Sequence, residues 1–88
     1  MLYKRTHVRY NVIRGEIMVD SILKNSLQDH RVVTIMYQRG KEITQRNIRV
    51  MKLIDKDLEA YCYLRHQVRH FKRENILAAM YTLEGQLL

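Results

Sequence analysis

The stretch RVVTIMYQRGKEITQRNIRVMKLID, residues 31–55, decides the fold because two strand-forming segments flank a single turn. Residues 31–38 are rich in β-branched and aromatic side chains and predict a strand. Gly40 marks the turn, since glycine adopts the backbone angles of tight turns without steric cost. Residues 42–55 predict a second, longer strand, so the whole stretch indicates a hairpin.

The long strand changes its apolar phase halfway along. Ile48 and Val50 lie on one face, whereas Met51 and Leu53 lie on the other. One extra residue in a strand shifts the alternation of its side chains and bends the strand. We therefore predict a β-bulge or a sharp bend near Val50, which lets a small sheet curl on itself.

Three further strands are predicted downstream. A turn at residues 55–57 precedes a third strand over residues 58–65. The core face of this strand is predicted to consist of Leu58, Ala60, Cys62 and Leu64. Because side chains alternate, its polar face consists of Glu59, Tyr61, Tyr63 and Arg65. The chain then turns at 66–67, and residues 68–71 and 76–82 predict the fourth and fifth strands.

Upstream of the hairpin, residues 19–29 predict a short helix. Either Asp20 or Ser21 can serve as its N-cap. The apolar stripe of this helix consists of Ile22, Leu23 and Leu27. One helix followed by five short strands predicts a mainly β domain, folded as a small SH3-like or Sm-like curled barrel.

The chain has 88 residues, enough for one small domain, which we assign to residues 18–88. Residues 1–17 are basic and weakly alternating. They are consistent with an extra strand, with a basic arm, or with a translated leader. The leader is an alternative because residues 14–16 can be encoded by a purine-rich run resembling a bacterial ribosome-binding site, just before Met18.

The charge of the chain favours anionic partners. Sixteen Lys and Arg residues against nine Asp and Glu give a formal net charge of +7. On a small domain this balance indicates nucleic acid, a nucleotide or an acidic protein surface. No apolar run is long enough to span a membrane, and no secretory signal is recognisable. Together with a single cysteine, Cys62, these features predict a cytoplasmic protein.

The segment YCYLRHQVRHFKRENI, residues 61–76, resembles the C-terminal half of the WYL domain, found in bacterial transcription regulators and CRISPR-associated regulators. The matching positions there are Tyr61, Cys62, Leu64, Arg65, Arg69, Phe71, Glu74 and Ile76. Upstream, the strand ending in Tyr37 resembles the first strand of the family. A second family strand is matched by Arg46, Ile48, Val50 and Leu53.

The resemblance covers about residues 19–81 and departs from the family at several positions. Only Leu58 remains of the three letters that name the family, and Val50 and Asn75 replace a proline and an arginine. The resemblance implies a Sm-like or SH3-like barrel. It also implies a positively charged pocket for a nucleic acid or nucleotide-type ligand that switches a regulator. Carried over by position, the pocket residues are Tyr37, Arg46, Arg65 and Arg69.

The residue chemistry adds Tyr61 and Tyr63 to this candidate ligand site. Arginine offers a planar fork of donors for phosphate oxygens, and tyrosine rings can stack on bases. Arg69 is the best single candidate, whereas Phe71 on the same face is expected in the core. The alternative is that these side chains only form cross-strand pairs that stabilise the sheet.

Metal binding and catalysis receive little support from the sequence. Cys62, His66 and His70 lie close together in the sequence, but a strand–turn–strand segment does not bring them onto one face, and no fourth ligand is evident. No glycine-rich phosphate loop, nucleophile elbow or zinc-protease motif is present. We therefore expect a non-enzymatic regulatory binding module that needs no metal or cofactor.

A second hypothesis is a structural or protein-interaction module that pairs through sheet edges with itself or with an acidic partner. The chain has no proline, and its last segment is apolar, so its edge strands have few protecting features. We expect a homodimer or small ring, with residues 76–88 contributing to the contact. Arg65 and Arg69 are expected to stay outside it, because burying unpaired charge is costly.

Overall fold

The computed structural model describes residues 18–82. Helix α1 covers residues 18–29 of this part. It is followed by the strands β1 (Val32–Arg39), β2 (Glu42–Ile54), β3 (Asp57–Cys62), β4 (Gln67–Lys72) and β5 (Ile76–Tyr81). A single 3-10 turn at Arg73–Asn75 joins β4 to β5. The predicted helix and five strands are thus confirmed. The proposals for residues 1–17 and for the chain end at 83–88 lie outside the described residues.

The five strands form one antiparallel sheet in the order β4-β3-β2-β1-β5. Within residues 18–82, β4 and β5 lie at opposite ends of this order and do not pair, so the sheet is not closed. A mainly β domain with an N-terminal helix is therefore confirmed, whereas a closed SH3-like or Sm-like barrel is not.

The predicted irregularity in β2 is present. Val50 pairs with Ala60 and Lys52 pairs with Glu59, so Met51 is an extra residue. The bulge leaves Met51 exposed and brings Leu53 opposite Leu58, next to the core. The change of apolar phase in the sequence is explained by this single inserted residue.

The core lies between α1 and the sheet face that α1 packs against, which we call the inner face. From the helix it contains Val19, Ile22 and Leu23, which confirms an apolar stripe. From the sheet it contains Val33, Ile35, Ile48, Val50, Leu58, Ala60, Cys62, Phe71 and Ile76. Phe71 is buried as expected. The opposite, outer face has no packed element among the described residues.

The sheet is curled enough for its first strand to reach its fourth. The Tyr37 ring of β1 meets the Phe71 ring of β4 edge-on, with 5.0 Å between centroids. The backbone N–H of Lys72 donates to the Tyr37 hydroxyl at 3.0 Å. These contacts cross the inner face over β2 and β3, so the inner face is concave.

Ser26 connects the end of α1 to the bulged region of the sheet. Its side chain is fully buried, and its hydroxyl donates to the Arg31 carbonyl at 2.6 Å. The same oxygen accepts from the Val50 backbone N–H at 2.9 Å. β1 begins with the pair Val32 and Arg49, so no residue of β1 is paired with Val50. The Ser26 hydroxyl therefore accepts the hydrogen bond that a neighbouring strand would otherwise accept.

Two sequence expectations are wrong. Asp20 and Ser21 do not cap α1, because the helix already includes residue 18. Leu64 is not in the core but 61% exposed, because β3 ends at Cys62 and the chain turns over residues 63–66. The predicted turn therefore begins three residues earlier than expected, and Gln67 is already the first residue of β4.

Candidate anion-binding site on the inner face

The structure divides the six predicted site residues among three places. The register puts Tyr37, Arg46 and Arg69 on the inner face. It puts Tyr61 on the outer face, where the ring of Tyr63 packs edge-on against it at 4.9 Å. Arg65 is exposed in the turn between β3 and β4. The sequence grouped the two tyrosines with Arg69, but paired strands place them on opposite sides of the sheet.

Arg46 is a buried cation, with only 7% of its surface exposed. Its Nε donates to the Thr44 Oγ1 at 3.2 Å, and its Nη1 lies 3.7 Å from the Cys62 Sγ. Both partners are formally neutral groups in their ordinary states. A buried guanidinium is normally compensated by an anion, because transferring charge out of water is costly.

Arg69 lies on the same face, two strands away from Arg46. It pairs with Ala60 in register and is half-buried. None of the side chains beside Arg46 or Arg69, on their own strands or on the described paired strands, is acidic. The nearest acidic residue in register on this face is Glu42, which is exposed at the hairpin end opposite Arg39. The concave face therefore carries a local excess of positive charge.

The positive charge of Arg46 affects the pKa of the Cys62 thiol. Burial acts to raise the pKa of this thiol, but hydrogen bonds from the Arg65 backbone amide, the Arg46 side chain and the Leu64 amide lower it. The charge of Arg46 lowers it further, and the net result is a pKa below the ordinary value. The thiol position is thus a small region that favours negative charge.

This pKa shift predicts a pH-dependent contribution to stability. A depressed folded-state pKa stabilises the fold fully above the unfolded pKa, and the contribution is lost as pH falls through the folded value. We expect the difference in unfolding free energy between wild type and Cys62→Ala to grow from about pH 7 to about pH 9, across the ordinary thiol pKa of roughly 8.5. Urea unfolding at several pH values measures it, and a constant difference would contradict the shift.

Sequence reasoning missed a cleft of about 680 Å³ beside α1. It lies between the helix, the turn joining β2 to β3 and the 3-10 turn, with Leu23, Leu53 and Leu58 in its lining. Its charged lining residues are Asp20, Lys24, Asp55, Lys56, Asp57, Arg73 and Glu74. Asp20 and Arg73 form an ion pair at 2.6 Å. These residues come from three separate segments, so no local motif could have revealed the cleft.

The histidine and cysteine residues do not converge on a metal site in the part of the chain that the structure describes. His70 lies on the outer face opposite Glu59, whereas Cys62 is buried on the inner face. Across residues 18–82 no three His, Cys, Asp or Glu side chains are placed to hold a metal ion together. No helix in this range is both long and apolar enough to cross a membrane.

The comparisons with known proteins include a structural neighbour. No family model matches the sequence. No curated protein matches it either. A solved structure of proteasome accessory factor B/C (PafBC) of Arthrobacter aurescens is similar in fold, with a TM-score of 0.66 and 18% sequence identity over 81% of this chain. The match covers 12% of the PafBC chain. At this identity the likeness concerns the fold alone.

Proposed function

We propose that the domain is a regulatory binding module that takes a phosphate-bearing ligand, a nucleotide or single-stranded nucleic acid, on its inner face. The observation that carries this proposal is the pair Arg46 and Arg69 on one concave face, with no carboxylate of the described strands beside either of them. An anionic ligand would be attracted by both cations. Because Arg69 is half-buried and Arg46 is buried, Arg69 makes the direct contact and Arg46 adds positive potential beneath it.

The neighbouring groups suit a phosphate. Arg69 can offer its fork of donors to phosphate oxygens. In the turn after Cys62, the backbone amides of Leu64 and Arg65 donate to the thiol and favour negative charge there. Tyr61 and Tyr63 lie on the other face, so they serve such a ligand only if a nucleic acid strand is long enough to pass around the edge at β4.

The regulatory part of the proposal rests on the resemblance to the WYL family. The fold shared with PafBC supports a WYL-like relationship. As a regulatory module, the domain would bind its ligand and act through a partner protein or an attached region of the chain. The proposal does not depend on any catalytic step.

Binding is predicted to depend steeply on salt and on Arg69. Short fluorescein-labelled single strands and nucleotides are titrated with the protein by anisotropy between about 50 and 200 mM salt, and affinity should fall as counterions are released. Arg69→Gln should weaken binding about tenfold, in line with one charge-assisted contact. Arg49→Gln is the control, because Arg49 is partly exposed on the outer face opposite Tyr61. Equal affinities for the two variants, or no salt-sensitive binding at all, would refute the inner-face site.

A further inference from the structure

The two edge strands of the sheet differ in how well they are protected. β4 carries Arg69, His70 and Lys72, and one of its backbone amides, that of Lys72, already donates to the Tyr37 hydroxyl. Charged side chains and satisfied backbone groups are features by which proteins prevent strand edges from pairing with other chains. The β4 edge is therefore poorly suited to association.

β5 has none of this protection. Its sequence, ILAAMY, contains no charged residue and no proline, and among the described strands it pairs only with β1. Leu77, Met80 and Tyr81 are 48%, 55% and 37% exposed. After a register shift near its start, β5 runs regularly from Ala78 to Tyr81 along β1. Within residues 18–82 this leaves an apolar strand edge with unpaired backbone groups.

The edge is also held in place at its far end. The Tyr81 hydroxyl accepts a hydrogen bond from the Asn25 side-chain amide at 2.6 Å. The guanidinium carbon of Arg31 lies 4.1 Å from the centroid of the Tyr81 ring. Because both contacts come from the helix side, β5 does not have to become ordered when a partner strand arrives, which lowers the cost of pairing.

We propose that β5 pairs antiparallel with β5 of a second copy of this chain, joining the two sheets into one of ten strands. Two identical antiparallel strands are self-complementary about a twofold axis, so one edge supplies both halves of the interface. Two chains of net charge +7 repel each other, and an edge strand without a cation is where that repulsion is least. Arg65 and Arg69 lie toward the opposite edge and stay outside the contact.

The contact is small. A stable interface usually buries about 1,200–2,000 Å² in total, and one strand of six residues, Ile76–Tyr81, supplies less than that. The dimer is therefore reversible, with a dissociation constant in the micromolar range or weaker. It does not involve the residues of the inner-face ligand site, Arg46 on β2 and Arg69 on β4.

Sedimentation velocity tests the dimer from about 5 to about 500 µM, a range that brackets the affinity of a small interface. Wild type should shift from monomer towards dimer, and Met80→Lys should remain monomeric, because a lysine on an edge strand opposes its pairing with a strand of another chain. Met51→Lys is the matched control, since Met51 is 48% exposed, close to the 55% of Met80, but lies at the bulge of β2. It should dimerise as wild type does.

Hydrogen exchange supplies a second measurement that needs no variant. Amides of residues 77–81 should exchange more slowly at the high concentration than at the low one, and amides of β4 should not change. A wild type that is monomeric at about 500 µM, or a folded Met80→Lys that dimerises like Met51→Lys, overturns the proposal. Met80→Lys should bind oligonucleotides as wild type does, so loss of the dimer and loss of the ligand site are separately visible.

Discussion

Replacing Ser26 with alanine is expected to lower the free energy of unfolding by about 2–4 kcal/mol. The hydroxyl is fully buried and satisfies two backbone groups at once, the Arg31 carbonyl and the Val50 N–H. Alanine leaves both without a side-chain partner, and each buried unsatisfied group costs about 1–3 kcal/mol. The better helix propensity of alanine raises the free energy of unfolding by only about 0.5 kcal/mol.

Ser21→Ala provides the control for this prediction. Ser21 lies on the same helix but is exposed, so the same chemical change should leave stability unchanged or slightly higher. Urea unfolding followed by circular dichroism gives both free energies. A loss on this scale is a large part of the stability of a small domain, which is about 0.05–0.15 kcal/mol per residue. Indistinguishable unfolding midpoints for the two variants would show that Ser26 does not join helix to sheet.

The sequence predicts those features of the fold that depend on periodicity. Alternating apolar residues identify all five strands, and the phase change around Val50 identifies the bulge. Gly40 marks the first hairpin turn because it has a positive φ of 62°, which glycine adopts easily. These signals are local, so they can be read from one segment at a time.

The errors come from places where local signals are weak or misleading. The turn after Cys62 contains no glycine, and His66 takes the left-handed conformation with a φ of 56°. The alternation of Tyr61 to Leu64 therefore predicts an uninterrupted strand, and the resulting prediction that Leu64 lies in the core is wrong. Closure of a barrel depends on long-range strand pairing, which apolar patterning does not determine.

The candidate site was only partly predictable for a similar reason. Arg46 is preceded and followed by polar residues, so nothing in the segment distinguishes a buried arginine from an exposed one. Only the register with β1, which sets it opposite Ile35, places it on the inner face. The placement of Arg69 and Tyr61 on opposite faces likewise depends on the pairing of β3 with β4. Residue chemistry suggested an anionic ligand, and strand register determined which residues could share it.

Arg46→Met is expected to weaken binding of the anionic ligand about three- to tenfold, by loss of a nearby charge that makes no direct contact, while the unfolding free energy stays equal or rises by about 1–3 kcal/mol. Methionine is a flexible apolar side chain of similar reach and can fill the buried position. Among the described residues, the guanidinium donates to the Thr44 hydroxyl and the Cys62 thiol and to no carboxylate, so its desolvation is poorly compensated there. Weaker binding together with equal or higher stability is the result expected if Arg46 serves ligand binding and lowers the stability of the fold.

The matched variant is Arg49→Met, on the same strand but on the outer face and partly exposed, which should change neither quantity much. Anisotropy titrations give the binding constants, and urea unfolding gives the stabilities. Arg46→Met should also reduce the pH dependence attributed to Cys62, because the side-chain hydrogen bond and the charge of Arg46 both lower the pKa of that thiol. If Arg46→Met is destabilised and binds ligand as wild type does, Arg46 has a structural role, and the positive charge of the inner face does not serve an anion.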